Sequence, residues 1–100
     1  RQLRDGFGVE PALPHHPIDT AIPAAHRAGP LDDKTRQLIK LAMAIAGEYE
    51  GATHAHVRRA LQIGITPEEI KHVVLLAMTT LGFPATVKAY SWVQDILDKQ

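Results

Sequence analysis

Apolar residues recur at helical spacing through the chain after residue 30. The first such segment has apolar residues at positions i, i+3, i+4 and i+7, namely Leu38, Leu41, Ala42 and Ile45. This spacing places the side chains on one face of a helix. Asp32 or Asp33 can cap that helix, and Gly47 and Gly51 bracket a break after it. The pattern predicts a first helix with one buried stripe.

Three further helices are predicted, at about Ala52–Ile63, Pro67–Leu81 and Ala85–Leu97. Gly64 follows the first of them at the position where a left-handed residue commonly ends a helix. Gly82, followed by a proline, ends the second.

Thr66-Pro67-Glu68-Glu69 is the strongest local signal in the chain. The Thr66 hydroxyl can accept from the amide of Glu69, whose side chain can accept from the amide of Thr66 in return. Pro67 falls at the first helical position, where a missing N–H costs nothing. The segment predicts a capping box at the start of the Pro67–Leu81 helix.

The predicted Pro67–Leu81 helix is apolar almost all round. Its apolar residues are Ile70, Val73, Val74, Leu75, Leu76, Ala77, Met78 and Leu81. A helix that is apolar on every side is usually buried on every side, and a chain of this size has little to cover it with. We therefore expect a homo-oligomer in which partner subunits cover this helix.

Residues 1–30 differ from the rest because prolines recur every few positions. Pro11, Pro14, Pro17, Pro23 and Pro30 lie there, and each restricts its own φ and that of its predecessor. We predict an arm without a long helix, with one short turn at Thr20–His26 and the tail of a short helix at Arg1–Phe7. The chain then divides into an N-terminal proline-rich arm, 1–30, and an all-α domain, 31–100.

Composition excludes several classes of function. Eleven basic and eleven acidic residues cancel, so no net charge attracts nucleic acid or an anionic membrane. The longest apolar run lies within Val73–Met78, which is far too short to span a bilayer. The chain contains no cysteine, which argues against a disulfide-stapled secreted domain and fits a cytoplasmic location.

Four segments, in this order and spacing, resemble the carboxymuconolactone decarboxylase family, which includes the AhpD-like peroxidases. They are Leu31-Asp-Asp-Lys-Thr-Arg36-Gln-Leu-Ile, His56-x-x-x-Ala60, Gly64-x-Thr66-x-Glu68-Glu69-Ile70 and Gly82-Phe83-Pro84-Ala85-x-x-x-Ala89. The resemblance implies an AhpD-like helical bundle assembled as a homo-oligomer, commonly a trimer or hexamer.

The resemblance also separates two kinds of activity. The peroxidase branch uses a Cys-x-x-Cys that would fall on Tyr49 and Ala52, and an upstream glutamate that would fall on Gln37. Without cysteine, thiol redox chemistry is excluded. The nearer resemblance is to the decarboxylase branch, which acts on a lactone acid in aromatic catabolism. It implies a small lyase acting on a lactone or unsaturated carboxylic acid, with no cofactor.

His56 is the first catalytic candidate. Decarboxylation needs stabilisation of the electrons left behind by carbon dioxide and a proton for the resulting carbanion, and a histidine can donate that proton. The alternative is a buried histidine that is bonded to a backbone carbonyl and serves packing.

Arg36 and Glu48 are the other catalytic candidates. The planar fork of Arg36 suits a substrate carboxylate, and its alternative is a helical salt bridge with Asp32. Glu48 can act as an acid or base if it is desolvated, and otherwise is a solvated loop residue. Tyr49 is a substrate-binding candidate that either fills the pocket or donates a hydrogen bond, with filling favoured.

His54 is the second substrate-binding candidate. On a continuous helix, residues i and i+2 point about 200° apart, so His54 and His56 cannot chelate one metal, although an irregular turn would let both face one cavity. No carboxylate or third histidine was recognised at ligand spacing, and we expect no metal site. His15 and His16, in the arm, are expected to be solvated.

Two functions of different class follow. One is the lyase with a small carboxylic acid substrate. The alternative is a peroxidase relative that lost its redox centre and acts as a non-catalytic ligand-binding or assembly protein.

Overall fold

The computed structural model describes residues 17–100, with side chains from residue 20. In these residues all regular structure is helical, which confirms the all-α prediction. The helices are α1 (Pro17–His26), α2 (Asp33–Ala46), α3 (Glu50–Gln62), α4 (Pro67–Leu81) and α5 (Phe83–Leu97). The predicted helix tail at Arg1–Phe7 and the pair His15 and His16 lie outside the described residues.

Helix α1 corrects the prediction for the proline-rich segment. Where one short turn was expected at Thr20–His26, the chain forms a helix of 10 residues, Pro17–His26, with Pro23 inside it. Pro17 begins the helix, where an absent N–H leaves no bond unmade. Pro23 removes one backbone bond in a helix whose other residues still form theirs, so the helix continues past it.

Helices α2 to α5 form a bundle within the unit Asp32–Gln100. The main contacts join α2 to α3, α3 to α5, α5 to α4 and α4 to α2. Going round the bundle, the order is therefore α2, α3, α5, α4, with two hairpins, α2–α3 and α4–α5, packed side by side. Helix α3 thus lies between α2 and α5.

Each of these four helices contributes at least one completely buried aliphatic residue to a common core. Leu41 of α2, Val57 of α3, Ile70 of α4 and Val93 of α5 have no exposed surface. Burial of such a side chain is worth about 1.5–3 kcal/mol. The stripes recognised in the sequence therefore point to one shared core, which fixes the rotation of every helix.

The helix ends follow the capping signals, with two shifts. Asp32 caps α2 through the amide of Thr35, and α4 has the predicted limits and capping box. Helix α3 begins at Glu50 rather than Ala52, and α5 at Phe83 rather than Ala85. Gly51 and Pro84, which the prediction assigns to breaks in the chain, lie in the first turns of α3 and α5. Backbone amides of a first turn have no intrahelical acceptor, so these residues are tolerated there.

A groove of about 640 Å³ runs between α2 and α4, and its lining is mostly apolar. Leu76 and Met43, which line it, are 56% and 65% exposed in the single chain. Covering of α4 by partner subunits stays a prediction. No helix within residues 17–100 is long and apolar enough to cross a membrane.

The capping box makes a stability prediction. Thr66→Ala removes the hydroxyl that accepts from the Glu69 amide at 3.1 Å, and should lower the free energy of unfolding by about 1 kcal/mol. The matched control is Thr79→Ala, an exposed position inside the same helix, which should change it by less than about 0.5 kcal/mol. Urea denaturation measures both. Equal effects of the two substitutions would contradict the capping account.

Candidate functional site

His56, in the middle of α3, is half-buried and faces α2. Its partner is Gln37, a buried residue in the second turn of α2. The amide nitrogen Nε2 of Gln37 lies 3.1 Å from His56 Nδ1 and 3.0 Å from the backbone carbonyl oxygen of His56. One amide group therefore contacts both the ring and the backbone of the same residue.

The carbonyl contact decides which way the glutamine amide points. A backbone carbonyl oxygen can only accept a hydrogen bond, so the atom facing it must be the amide NH₂ and not the amide oxygen. The second hydrogen of that NH₂ then points at His56 Nδ1, which must accept it with its lone pair. A neutral imidazole has one N–H, so its proton lies on Nε2. His56 is held as an Nε2–H donor.

Arg36 forms an ion pair with Asp33 one turn earlier on α2. The partner suggested by the sequence was Asp32, but that carboxylate accepts from the Thr35 amide at 2.8 Å. Capping therefore takes Asp32 and leaves Asp33 for the guanidinium. Arg36 and Gln37 are consecutive, so their side chains leave α2 about 100° apart.

Glu48 lies in the turn between α2 and α3, in the left-handed region with φ of 59°. Its carboxylate accepts a hydrogen bond from the ammonium of Lys88 on α5. That bond, with the charge of Lys88, holds the pKa of Glu48 below its ordinary value of 4.5. The desolvation on which an acid or base role depends is not met, because Glu48 is exposed and its lowered pKa keeps it ionised near neutral pH.

Tyr49 does not fill a pocket, contrary to the favoured alternative. It is 63% exposed, and its ring lies so close to Gly47 that a Cβ added there would clash with Cε2 of the ring. Its backbone carbonyl accepts from the amide and the hydroxyl of Thr53, the latter at 2.8 Å. The residue thus organises the start of α3 through its main chain.

His54 contacts α5, so the two histidines meet different helices. Its Nε2 lies 3.2 Å from the Oδ2 of Asp95. Helix α3 is continuous from Glu50, and the irregular turn that would have let both histidines face one cavity is absent from it. Glu50, one turn before His54, and Asp95 each have a carboxylate oxygen within 4.8 Å of a His54 ring nitrogen, a grouping that the sequence did not predict.

The groove between α2 and α4 is separate from these residues. Its lining includes Thr35, Leu38 and Ile39 of α2 and His72 and Leu76 of α4, but none of the five candidate site residues. Within the part of the chain that the structure describes, Gln37 and His56 are directly joined, whereas Arg36, Glu48 and His54 each have a different partner.

In a comparison with known protein families, the model of the carboxymuconolactone decarboxylase family matches residues 12–95. The chain belongs to the carboxymuconolactone decarboxylase family. The match begins within the proline-rich segment, earlier than the resemblance recognised from Leu31. Comparison with curated proteins finds no match, and comparison with solved structures finds none either.

By its resemblance to the peroxidase branch of the carboxymuconolactone decarboxylase family, the chain has Gln37 where that branch has its relay glutamate. A carboxylate only accepts hydrogen bonds and would draw the histidine proton to Nδ1. The amide of Gln37 donates instead, so the proton moves to the opposite nitrogen. The sequence showed the missing acid, but only the backbone contact shows that the amide has a defined role of its own.

The donated bond predicts the tautomer of His56 in this carboxymuconolactone decarboxylase family member. Long-range ¹H–¹⁵N NMR spectra, recorded at a pH where the His56 imidazole is neutral, should show its Nε2–H form. Gln37→Glu should move the proton to Nδ1, because a carboxylate accepts there. Gln62→Glu makes the same change at an exposed position and should leave the tautomer as it is. An Nδ1–H tautomer in the wild type would contradict the assignment.

Proposed function

We propose that this family member is a small carboxy-lyase that acts on a lactone or unsaturated carboxylic acid. The observation that carries the proposal is the double hydrogen bond from Gln37, which presents His56 as an Nε2–H donor. A donor of this kind suits a reaction in which negative charge develops on a carbonyl oxygen.

The reaction can be written with His56 as its central group. When the carboxylate carbon leaves as carbon dioxide, the electron pair of the broken C–C bond moves into the conjugated lactone carbonyl. The Nε2–H group first stabilises that charge by a hydrogen bond, as neutral histidines do in other enzymes that form enolates. It then gives its proton to carbon, which leaves the ring as an imidazolate, and the imidazolate takes a proton from solvent water to restore the neutral Nε2–H form.

Arg36 is the proposed anchor of the substrate carboxylate. One of its partners, Asp33, is 83% exposed, and exposed ion pairs are worth about 1 kcal/mol or less. We propose that a substrate carboxylate takes the place of Asp33 in this ion pair. Glu48, which is ionised and paired with Lys88, is proposed as a residue at the edge of the site, as are His54 and Tyr49.

A non-catalytic role is the second candidate. It is favoured by the fact that Arg36 and Glu48 both have protein partners already, Asp33 and Lys88. In that case the protein binds a ligand or supports assembly without turnover. The two candidates share His56 and Gln37 but differ in whether carbon dioxide is released.

We also propose a homo-oligomer, a trimer or hexamer by family resemblance, with the α2–α4 groove at the interface between copies. The groove is lined by exposed apolar side chains, among them Met43 and Leu76, and large exposed apolar patches commonly mark such interfaces. The proposed location in the cytoplasm rests on the lack of cysteine.

Turnover of carboxymuconolactone, followed as carbon dioxide release, tests the lyase proposal. His56→Gln should reduce turnover by about a hundredfold or more, the usual contribution of a positioned acid, while circular dichroism shows an intact fold. The control is Arg59→Gln, which changes an exposed residue of the same helix outside the groove and should leave turnover unchanged.

Two outcomes would contradict the lyase proposal. One is full turnover in His56→Gln. The other is stabilisation of the wild-type protein by carboxylated lactones in a thermal-shift assay without any carbon dioxide release, which would support the ligand-binding alternative instead.

Sedimentation tests the assembly proposal. The wild type should have a mass of at least two chains at micromolar concentration, and Leu76→Glu should reduce it to the 11.0 kDa monomer, because a charge cannot be buried in an apolar interface without a partner. Ile63→Glu places the same charge at an exposed position outside the groove and should leave the mass unchanged. A wild-type monomer would refute the proposal.

A further inference from the structure

Three potential metal ligands meet where α3 packs against α5, apart from the His56–Gln37 pair. They are Glu50 and His54 of α3 and Asp95 of α5, and one ligand atom from each lies within 4.8 Å of the other two. The family resemblance and the groove do not account for this cluster, and the lyase proposal uses only His54 from it, at the edge of its site.

The helices explain why these side chains converge. Glu50 and His54 are four residues apart, so they lie on one face of α3, one turn from each other. Asp95, in the last turn of α5, approaches that face from the neighbouring helix, and its Oδ2 lies 3.2 Å from His54 Nε2. The packing of α3 on α5 therefore fixes all three positions.

The charges around the cluster favour a cation. Within residues 17–100, no lysine or arginine forms an ion pair with Glu50 or Asp95, and His54 is the group that neighbours both. Two carboxylates held this close repel each other. A divalent cation between them would remove that repulsion.

The distances also suit a metal ion. Zn²⁺ binds histidine nitrogen and carboxylate oxygen at about 2.0–2.2 Å, and tetrahedral geometry then separates neighbouring ligand atoms by about 3.4 Å. The pair His54–Asp95 is already near that separation. Glu50 is exposed, and its ligand atom lies within 4.8 Å of the other two.

We propose that Glu50, His54 and Asp95 form a binding site for a divalent transition metal, with Zn²⁺ as the fitting ion. An imidazole with two carboxylates favours Zn²⁺ over Mg²⁺ or Ca²⁺, which prefer oxygen ligands alone. Three protein ligands leave one position of a tetrahedral ion for water or for a ligand. The bound ion links α3 to α5, and His54 belongs to this site while His56 faces α2.

Zinc binding is measured on the full chain after chelator treatment, by isothermal titration with zinc chloride at neutral pH. Asp95→Asn and Glu50→Gln remove a charged ligand at exposed positions, so the fold should survive both changes. Each should weaken zinc binding by about tenfold or more. Zinc should also raise the melting temperature of the wild type but not of Asp95→Asn.

The matched controls are Glu68→Gln and His72→Gln, exposed residues of the same types on α4, which should bind zinc as the wild type does. The double variant His15→Gln, His16→Gln should do the same. Loss of binding in that double variant alone, an affinity of Asp95→Asn within twofold of the wild type, or no zinc binding at all would overturn the proposal. The measurement uses no substrate, so its outcome is independent of the lyase proposal.

Discussion

Two hydrogen bonds from the Gln37 amide to His56 join α2 to α3 at the point where the chemistry is proposed. A buried amide that lost these partners would cost about 1–3 kcal/mol, so the contact also constrains how the two helices pack. The backbone carbonyl of His56 sets the orientation of the amide, and the amide in turn sets the tautomer of the ring. The proposed function depends on the tautomer of His56, and the packing of α2 against α3 determines which ring nitrogen carries the proton.

Helix α3 combines three tasks on separate faces. Val57 is directed to the common core and has no exposed surface. His56 meets α2, and His54 meets α5. Because the bundle order places α3 between these two helices, residues only two positions apart in sequence enter different environments. That separation keeps the proposed acid and the proposed metal site independent.

Local patterns predicted most of the helices because each signal acts within one or two turns. The capping box at Thr66 and the cap at Asp32 depend on neighbouring residues, and the structure confirms both. The predicted α2 stripe is confirmed at Leu41 and Ile45, whereas Ala42 is exposed. The predicted starts of α3 and α5 differ from the structure because the prediction treats glycine and proline as breaks, although both are tolerated in a first turn. Helix α1 differs for another reason: recurring prolines predict no helix there, yet Pro17 begins the helix and Pro23 lies inside it.

The site was less predictable because its contacts join distant parts of the chain. His56 could be named from sequence, but the role of Gln37 depends on a backbone carbonyl 19 residues away. The partner of Glu48 is 40 residues away, on α5, and Asp95 reaches His54 only through the packing of two helices. Glu50 is the exception to this rule, since its spacing of four residues from His54 can be read from the sequence.

A crystal structure with a carboxylated lactone bound tests the central claim most directly. The account predicts that a substrate oxygen lies within hydrogen-bond distance of His56 Nε2, about 3 Å, with Gln37 still bonded to Nδ1 and to the backbone carbonyl. A lactone that instead lies in the groove between α2 and α4, or that displaces Gln37 and contacts Nδ1, would contradict it.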